Sequence, residues 1–279
     1  MTRFKIDPAP TMKDLCGYFG ISRQSYYKWL RYEAKKRLEN HIITSWVKDN
    51  RKVQKAEGCH KLWLKHKVEF NIDMALGRDK FFDLMRDEGL LIRRKRKYVK
   101  TTNSEHGFKI YSNKIKGLNI VRPNQVWVCD ITYIATAEGF MYLALITDLY
   151  SRKIVGYDIS DSLEAEGCRR ALKRALSMVK KTEGIIHHSD RGIQYCCKEY
   201  IKLMKKHGLV VSMAAKGDCY ENAVAERVNG ILKQEYDLGS RFISKNIAAK
   251  ATKEAINLYN TIRLHRSINF KTPAEIYAA

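Results

Sequence analysis

From Val126 onward the hydrophobic pattern of the chain changes period, and this change constrains the fold more than any other feature of the sequence. Val126, Val128 and the apolar run from Ile131 to Ala135 suggest a strand; Phe140 to Thr147 and Lys153 to Ile159 suggest two more. Turns at Glu138-Gly139 and around Ser151-Arg152 separate them. Past Leu163 the spacing lengthens, with Cys168, Leu172, Leu176 and Val179 recurring at helical intervals as far as Lys181. A short buried strand at Ile185 to His188, a helix at Tyr195 to His207 and a strand at Leu209 to Met213 follow. A long helix is expected from Tyr220 to Tyr236. Three hairpin-connected strands, then alternating helix and strand, predict an α/β fold: a mixed sheet with helices on its faces.

The flanking regions read as helical. In Thr11 to Leu30, Leu15, Phe19 and Ile21 sit near helical spacing, Gly20-Ile21-Ser22 interrupts them, and Ser22 can cap a second helix through Tyr26, Tyr27 and Trp29. That order is the outline of a helix-turn-helix, which would set Arg23, Gln24, Ser25 and Lys28 on the first turns of the second helix to meet DNA. An ordinary helical hairpin has the same pattern. Residues 33–100 are helix-rich and basic, with Trp63, Phe81, Phe82 and Leu84 as a small core, and end in Arg93-Arg94-Lys95-Arg96-Lys97-Tyr98-Val99-Lys100. After Leu238 the chain is helical again near Ile247 to Tyr259. Thr272-Pro273-Ala274-Glu275 is a capping box with proline at the first helical position. The expected organisation is therefore a helix-turn-helix-like segment over 1–32, a basic helical DNA-binding region over 33–100 and a linker over 101–118. The α/β core over 119–237 and a helical extension over 238–279 complete it.

Charge narrows the partners. Lys and Arg number 52 against 30 Asp and Glu, leaving +22. That excess predicts salt-dependent attraction to a polyanion, with double-stranded DNA ahead of an anionic membrane, because no basic amphipathic helix stands out. It also favours phosphate contact, rather than mere solvation, for the run Arg93, Arg94, Lys95, Arg96 and Lys97. Seven cysteines form no C-x-x-C pair, and an odd count behind a polar N-terminus suggests reduced thiols in the cytoplasm. The longest apolar stretch, around Phe140 to Ile146, is far too short to cross a bilayer.

Three carboxylates lie where chemistry is expected. Asp130 falls inside the first strand, in Trp127-Val128-Cys129-Asp130-Ile131-Thr132-Tyr133, and a charge among strand hydrophobics is costly unless paired or bound to a cation. Asp190, in His187-His188-Ser189-Asp190-Arg191-Gly192, lies just past a strand end, where ligands collect in open α/β sheets. Glu226 sits on the long helix with Asn222 and Lys233 on its face, while Val224, Val228 and Ile231 make an apolar stripe. Such a set suits phosphodiester chemistry, because two divalent ions about 3.5–4 Å apart can activate a nucleophile and stabilise the leaving oxygen. Mg²⁺ favours oxygen ligands of this kind. Each residue alone also fits a bland role: a hydrogen-bonded aspartate, a turn former, a solvent-facing glutamate. His187 and His188, adjacent on a strand, point to opposite faces and suit packing better than joint ligation.

W-x-x-D-I-T-Y, H-S-D-R-G-x-Q-Y and K-G-D-x-Y-E-N-A-x-x-E-x-x-x-x-x-x-K together resemble the D-D-35-E transposases of bacterial insertion sequences. The likeness is to the insertion-sequence-three type, second reading frame product. It runs from about Arg122 to the C-terminus and includes Tyr259-Asn260-x-x-Arg263-x-His265-x-Ser267 and the Thr272 box. Asp190 and Glu226 are separated by the 35 residues that give the family its name. The resemblance implies an RNase H-like, retroviral-integrase-like core with Asp130, Asp190 and Glu226 binding two Mg²⁺ or Mn²⁺ ions. It implies 3′-end cleavage at the element tips and strand transfer into target DNA. Lys233 matches the basic residue seven beyond the glutamate that such enzymes place against DNA; Asn222 and Arg227 beside it join Arg23, Lys28 and the 93–97 run as candidate DNA contacts. Tyr220-Glu221 stands where the family commonly has Trp-Asp, and Arg227-Val228 where aromatics often follow the glutamate. Gly58-Cys59-His60-Lys61 replaces a more usual Gly-Tyr-Arg-Arg. The family further implies a homo-oligomer on DNA in the bacterial nucleoid, and an upstream reading frame whose fusion strengthens weak end binding. A non-catalytic DNA-binding regulator and an RNA–DNA hybrid nuclease are the rival readings. Intact carboxylates argue against the first, and the N-terminal helical region against the second.

Overall fold

The computed structural model describes residues 10–70, 74–92, 108–215 and 222–279. The chain divides into two compact units, one of residues 1–52 and 58–91, the other of 53–57 and 92–279.

In the first unit, helix α1 (Met12–Tyr18) opens on a capping box between Thr11 and Asp14. The chain turns through Gly20, whose φ of 65° is the left-handed conformation that a residue without Cβ adopts freely. Ser22 Oγ then accepts the Ser25 N–H at 3.0 Å, capping α2 (Arg23–Val53). This helix runs without a break across the boundary expected at residue 32, because no glycine or proline interrupts 23–53. Its C-terminal half supplies Ile43 and Val47 to a core shared with α3 (Cys59–Glu69) and α4 (Arg78–Asp87). Leu62, Phe81, Leu84 and Met85 fill that core, and Trp63 and Phe82 pack against it as expected. Arg23 and Lys28, on the first turns of α2, are exposed. The run Arg93, Arg94, Lys95, Arg96 and Lys97 lies outside the described residues.

The second unit is built on a five-stranded sheet of order β3-β2-β1-β4-β5. Strands β1 (Val126–Thr136), β2 (Gly139–Asp148) and β3 (Ile154–Ser160) form an antiparallel meander. β4 (Ile186–Ser189) and β5 (Val210–Met213) continue it in parallel, so β1 is the hinge between the two modes. Alternation along β1 sends Trp127 and Cys129 to one face. There α5 (Ala165–Ser177), α6 (Ile193–Cys196) and α7 (Lys198–Lys206) cover them. Ile134, Leu143 and Leu145 face the other way, under α8 (Ala223–Glu235) and α9 (Lys245–Thr261). The single helix expected over Tyr195 to His207 is two, because Cys197 takes an extended backbone (φ −65°, ψ 147°) between α6 and α7. Of the helix expected from Tyr220, residues 220 and 221 lie outside the described set, and α8 begins at Ala223 behind its N-cap Asn222. Thr272 caps the terminal α10 (Pro273–Ala278) with the reciprocal Glu275 contact that the sequence predicts. Among the described residues no helix is long and apolar enough to cross a membrane.

Candidate active site

Parallel pairing of β1 with β4 ends at Cys129 opposite Ser189, so Asp130 and Asp190 each stand one residue beyond the last paired positions of adjoining strands. This brings two carboxylates of like sign together. Burial pushes the Asp130 carboxyl up to about 7, the Asp190 charge adds to the rise, and Glu226 contributes a smaller share. Two hydrogen bonds oppose it: Oδ1 accepts the Ile131 N–H at 2.9 Å, and Oδ2 accepts the Asn229 amide at 2.8 Å. Asp190 Oδ1 accepts the Gly192 N–H at 2.9 Å. A Cβ at Gly192 would stand 3.0 Å from that oxygen, so glycine lets the turn close tightly on the carboxylate.

Helix α8 carries the rest of the site. Ala225, Val228, Ile231 and Leu232 bury its apolar side, and Val224 packs beside them. Asn222, Glu226, Asn229 and Lys233 recur at i, i+4, i+7 and i+11, one polar stripe along the helix. Its two asparagines are buried clamps. Asn222 donates to the Cys129 carbonyl at 3.0 Å, tying the helix start to β1 beside Asp130, while Asn229 holds the Asp130 carboxylate itself. Glu226, between them, is exposed, as is Arg227. Among the described residues no three His, Cys, Asp or Glu side chains form a ready-made metal cage; the aspartates are gathered, and Glu226 stands within electrostatic reach of Asp130. Half-buried Lys233 lays its ammonium 4.2 Å from the centre of the Tyr133 ring, and its burial lowers its proton affinity against the pull of Asp130.

Sequence reasoning missed Asn229. The signal was present: an amide three residues past Glu226, completing the polar stripe that Asn222 and Lys233 define. The histidines occupy the packing roles expected of them. His187 Nε2 lies 2.9 Å from Cys129 Sγ and 2.8 Å from the Tyr200 hydroxyl, and burial lowers its pKa to about 3, so it is neutral. His188 Nδ1 meets Ser212 Oγ at 2.9 Å.

Two family profiles, both described as Integrase core domain, match residues 121–219 and 207–273. A 31 kDa protein of insertion element IS600 from Shigella sonnei is 35% identical over 262 residues, covering 93% of this chain and 96% of its own. Transposase InsF of insertion sequence IS3A from Escherichia coli K12 is 30% identical over 264 residues, covering 91% and 90%. The chain belongs to the IS3-type insertion-sequence transposases. Its fold agrees. A simian T-cell lymphotropic virus intasome structure aligns with TM-score 0.50 at 14% identity, covering 80% of this chain and 71% of that one. The transposase is thus an RNase H-like α/β enzyme of the DDE transposase/integrase class, a polynucleotidyl transferase acting in DNA transposition.

Proposed function

We propose that the transposase cuts the 3′ ends of its element and joins them to target DNA, with Asp130, Asp190 and Glu226 as the catalytic, metal-holding carboxylates. The observation that carries this reading is the pairing of Asp130 with Asp190. Asp130, fixed by Asn229, is costly to keep ionised beside the like charge of Asp190, itself fixed by the Gly192 N–H, unless a cation lies between them. The donor set is all oxygen, which suits Mg²⁺ or Mn²⁺. An open arrangement also suits Mg²⁺, which usually takes few protein carboxylates and fills its shell with substrate phosphates and water.

Divalent ions held there would supply an activated nucleophile and charge neutralisation at the leaving oxygen. The protein residues orient the reaction. Asn229 and the Ile131 N–H fix both oxygens of Asp130, so its carboxylate presents one geometry to the phosphate. Glu226, exposed on the first turn of α8, is free to close on the site when DNA arrives. In the first step water attacks phosphorus and the bond to the element's 3′ oxygen breaks, leaving a 3′-hydroxyl. In the second, that hydroxyl attacks a target phosphodiester and displaces a target 3′ oxygen. Lys233, Arg227 and Asn222 lie along the same helix near the reacting strand. Arg23, Lys28 and the 93–97 run supply further contacts to double-stranded DNA, in keeping with the +22 charge. Two ends must be brought together, so a homo-oligomer on DNA is part of this reading, as is assistance from an upstream reading-frame product.

The test is a strand-transfer assay with Mg²⁺ or Mn²⁺ on labelled duplex carrying the element ends, comparing wild type with Glu226→Gln. Cutting and joining by wild type alone, with DNA binding retained in the variant, supports the proposal. Equal activity in the two proteins overturns it. If neither reacts, the assay is repeated with the upstream frame fused; continued inactivity then favours a DNA-binding regulator.

A further inference from the structure

Among the described residues β1 has no neighbour on its β4 side beyond Cys129, until Phe242 hydrogen-bonds to Ala135 and Ala137. Among the described residues no strand pairs with the edge around 130–134, and Asp130 stands at its start. Tyr133 pairs with Tyr142 and Ala135 with Phe140, so Tyr133, Tyr142 and Phe140 share one face. They lie past Ile131 and Ala144, where the core on that face ends. The rings of Tyr133 and Phe140 meet edge to face at 5.4 Å, and Phe140 is 55% exposed, an unusual degree for an aromatic on a sheet. Lys233, from α8 on the opposite face, reaches across this edge to the Tyr133 ring. Among the described residues no carboxylate lies within ion-pair distance of it. A half-buried ammonium held by a ring, in the field of Asp130 but outside ion-pair distance of it, and beside an exposed aromatic, is equipped for a phosphate with a base next to it.

We propose that Tyr133, Phe140 and Lys233 form a subsite for unpaired nucleotides at the DNA end, rings stacking bases and the ammonium taking the phosphate between them. The proposal rests on the transposase reading of the Asp130 site. Tyr133 stands three positions along β1 from Asp130, about 10 Å at 3.3 Å per residue, with its side chain on the other face of the strand. A strand with its reacting phosphate at Asp130 that crosses this edge, as the Lys233 side chain does, would bring its next one or two nucleotides over the rings. Stacking tolerates any base, so the subsite selects for strand separation and not for sequence.

The experiment compares binding of the full chain to two duplex ends of one sequence, one blunt and one with two unpaired terminal nucleotides carrying 2-aminopurine. Wild type is expected to prefer the unpaired end on the order of tenfold and to quench its fluorescence. Phe140→Ala, which alters an exposed side chain, and Tyr133→Leu should abolish the preference, while Tyr133→Phe keeps it. Lys233→Met should weaken binding to the unpaired end and flatten its salt dependence. Melting temperatures near wild type establish that the variants fold. Absence of a preference in wild type, or its survival in both Phe140→Ala and Tyr133→Leu, overturns the subsite. A preference that persists in a wild type unable to cut or join under any condition would leave the subsite standing and sink the catalytic reading instead.

Discussion

Replacing Asp130 with asparagine removes one withdrawn charge while keeping the side chain's shape, and without divalent ions it should stabilise the protein. The folded carboxyl keeps its proton up to about pH 7, whereas the unfolded one releases it near 3.8. Between those values the folded state binds more protons, so wild-type stability falls as pH rises from about 4 to 7 and stays low above. At 1.36 kcal/mol per pH unit the full effect is at most about 4 kcal/mol. Sharing with Asp190 and partial solvent contact reduce it to roughly 2–4 kcal/mol. For a unit of this size that corresponds to roughly 5–10 °C in melting temperature. Hydrogen bonding does not offset the gain. The new carbonyl accepts the Ile131 N–H, and once the Asn229 amide turns over the new amide can donate to its Oδ1, which has no partner among the described residues in the wild type. Thermal melts in chelator at pH 4, 5 and 8 measure the gap, which should be largest at pH 8, about a third of that at pH 5, and about a tenth of it at pH 4. Adding Mg²⁺ should raise the wild type and leave the variant nearly unmoved. A variant less stable than wild type at pH 8 in chelator, or a gap independent of pH, would refute the argument.

Asn229→Ala should lower strand transfer about 10- to 100-fold at limiting Mg²⁺ and shift the Mg²⁺ titration to higher concentration, with little loss of DNA binding. Gly156→Ala should cost about 1–3 kcal/mol or more in urea unfolding. Its new methyl would collide with the Ala171 carbonyl and stand 2.8 Å from Ala175 Cβ, forcing α5 off β3. Asp158→Asn should cost about 1–3 kcal/mol in the same measurement, since buried Asp158 anchors Arg170 at 2.7 Å and Arg174 at 2.9 Å.

The sheet was legible because its strands are short apolar runs set off by turns; Gly139 has φ 106° and Arg152 φ 67° where the turns were expected. Asp130 and Asp190 stood out because a charge beside a buried strand needs a reason. The break at Cys197 was not legible: it comes from how α6 and α7 dock on the same face of the sheet, while the local sequence carries no glycine or proline to mark it. Asn229 was legible as a member of a polar stripe, but not as the residue that holds Asp130, because that partner lies 99 residues earlier on β1. The continuous α2 could have been read from the absence of breakers over 23–53.

The mixed pairing of β1 also orders events in time. β1, β2 and β3 are neighbours in sequence and can pair as soon as they leave the ribosome, whereas β4 reaches β1 only after the α5 crossover closes a loop of about sixty residues. Asn222 and Asn229 clamp β1 from 93 and 99 residues further along. A nascent chain, or one ended by a premature stop before α8, therefore carries Asp130 without the amides that hold it and without Glu226. On the proposed mechanism DNA cutting is all-or-none for each molecule, acquired only when the last third of the chain has been made.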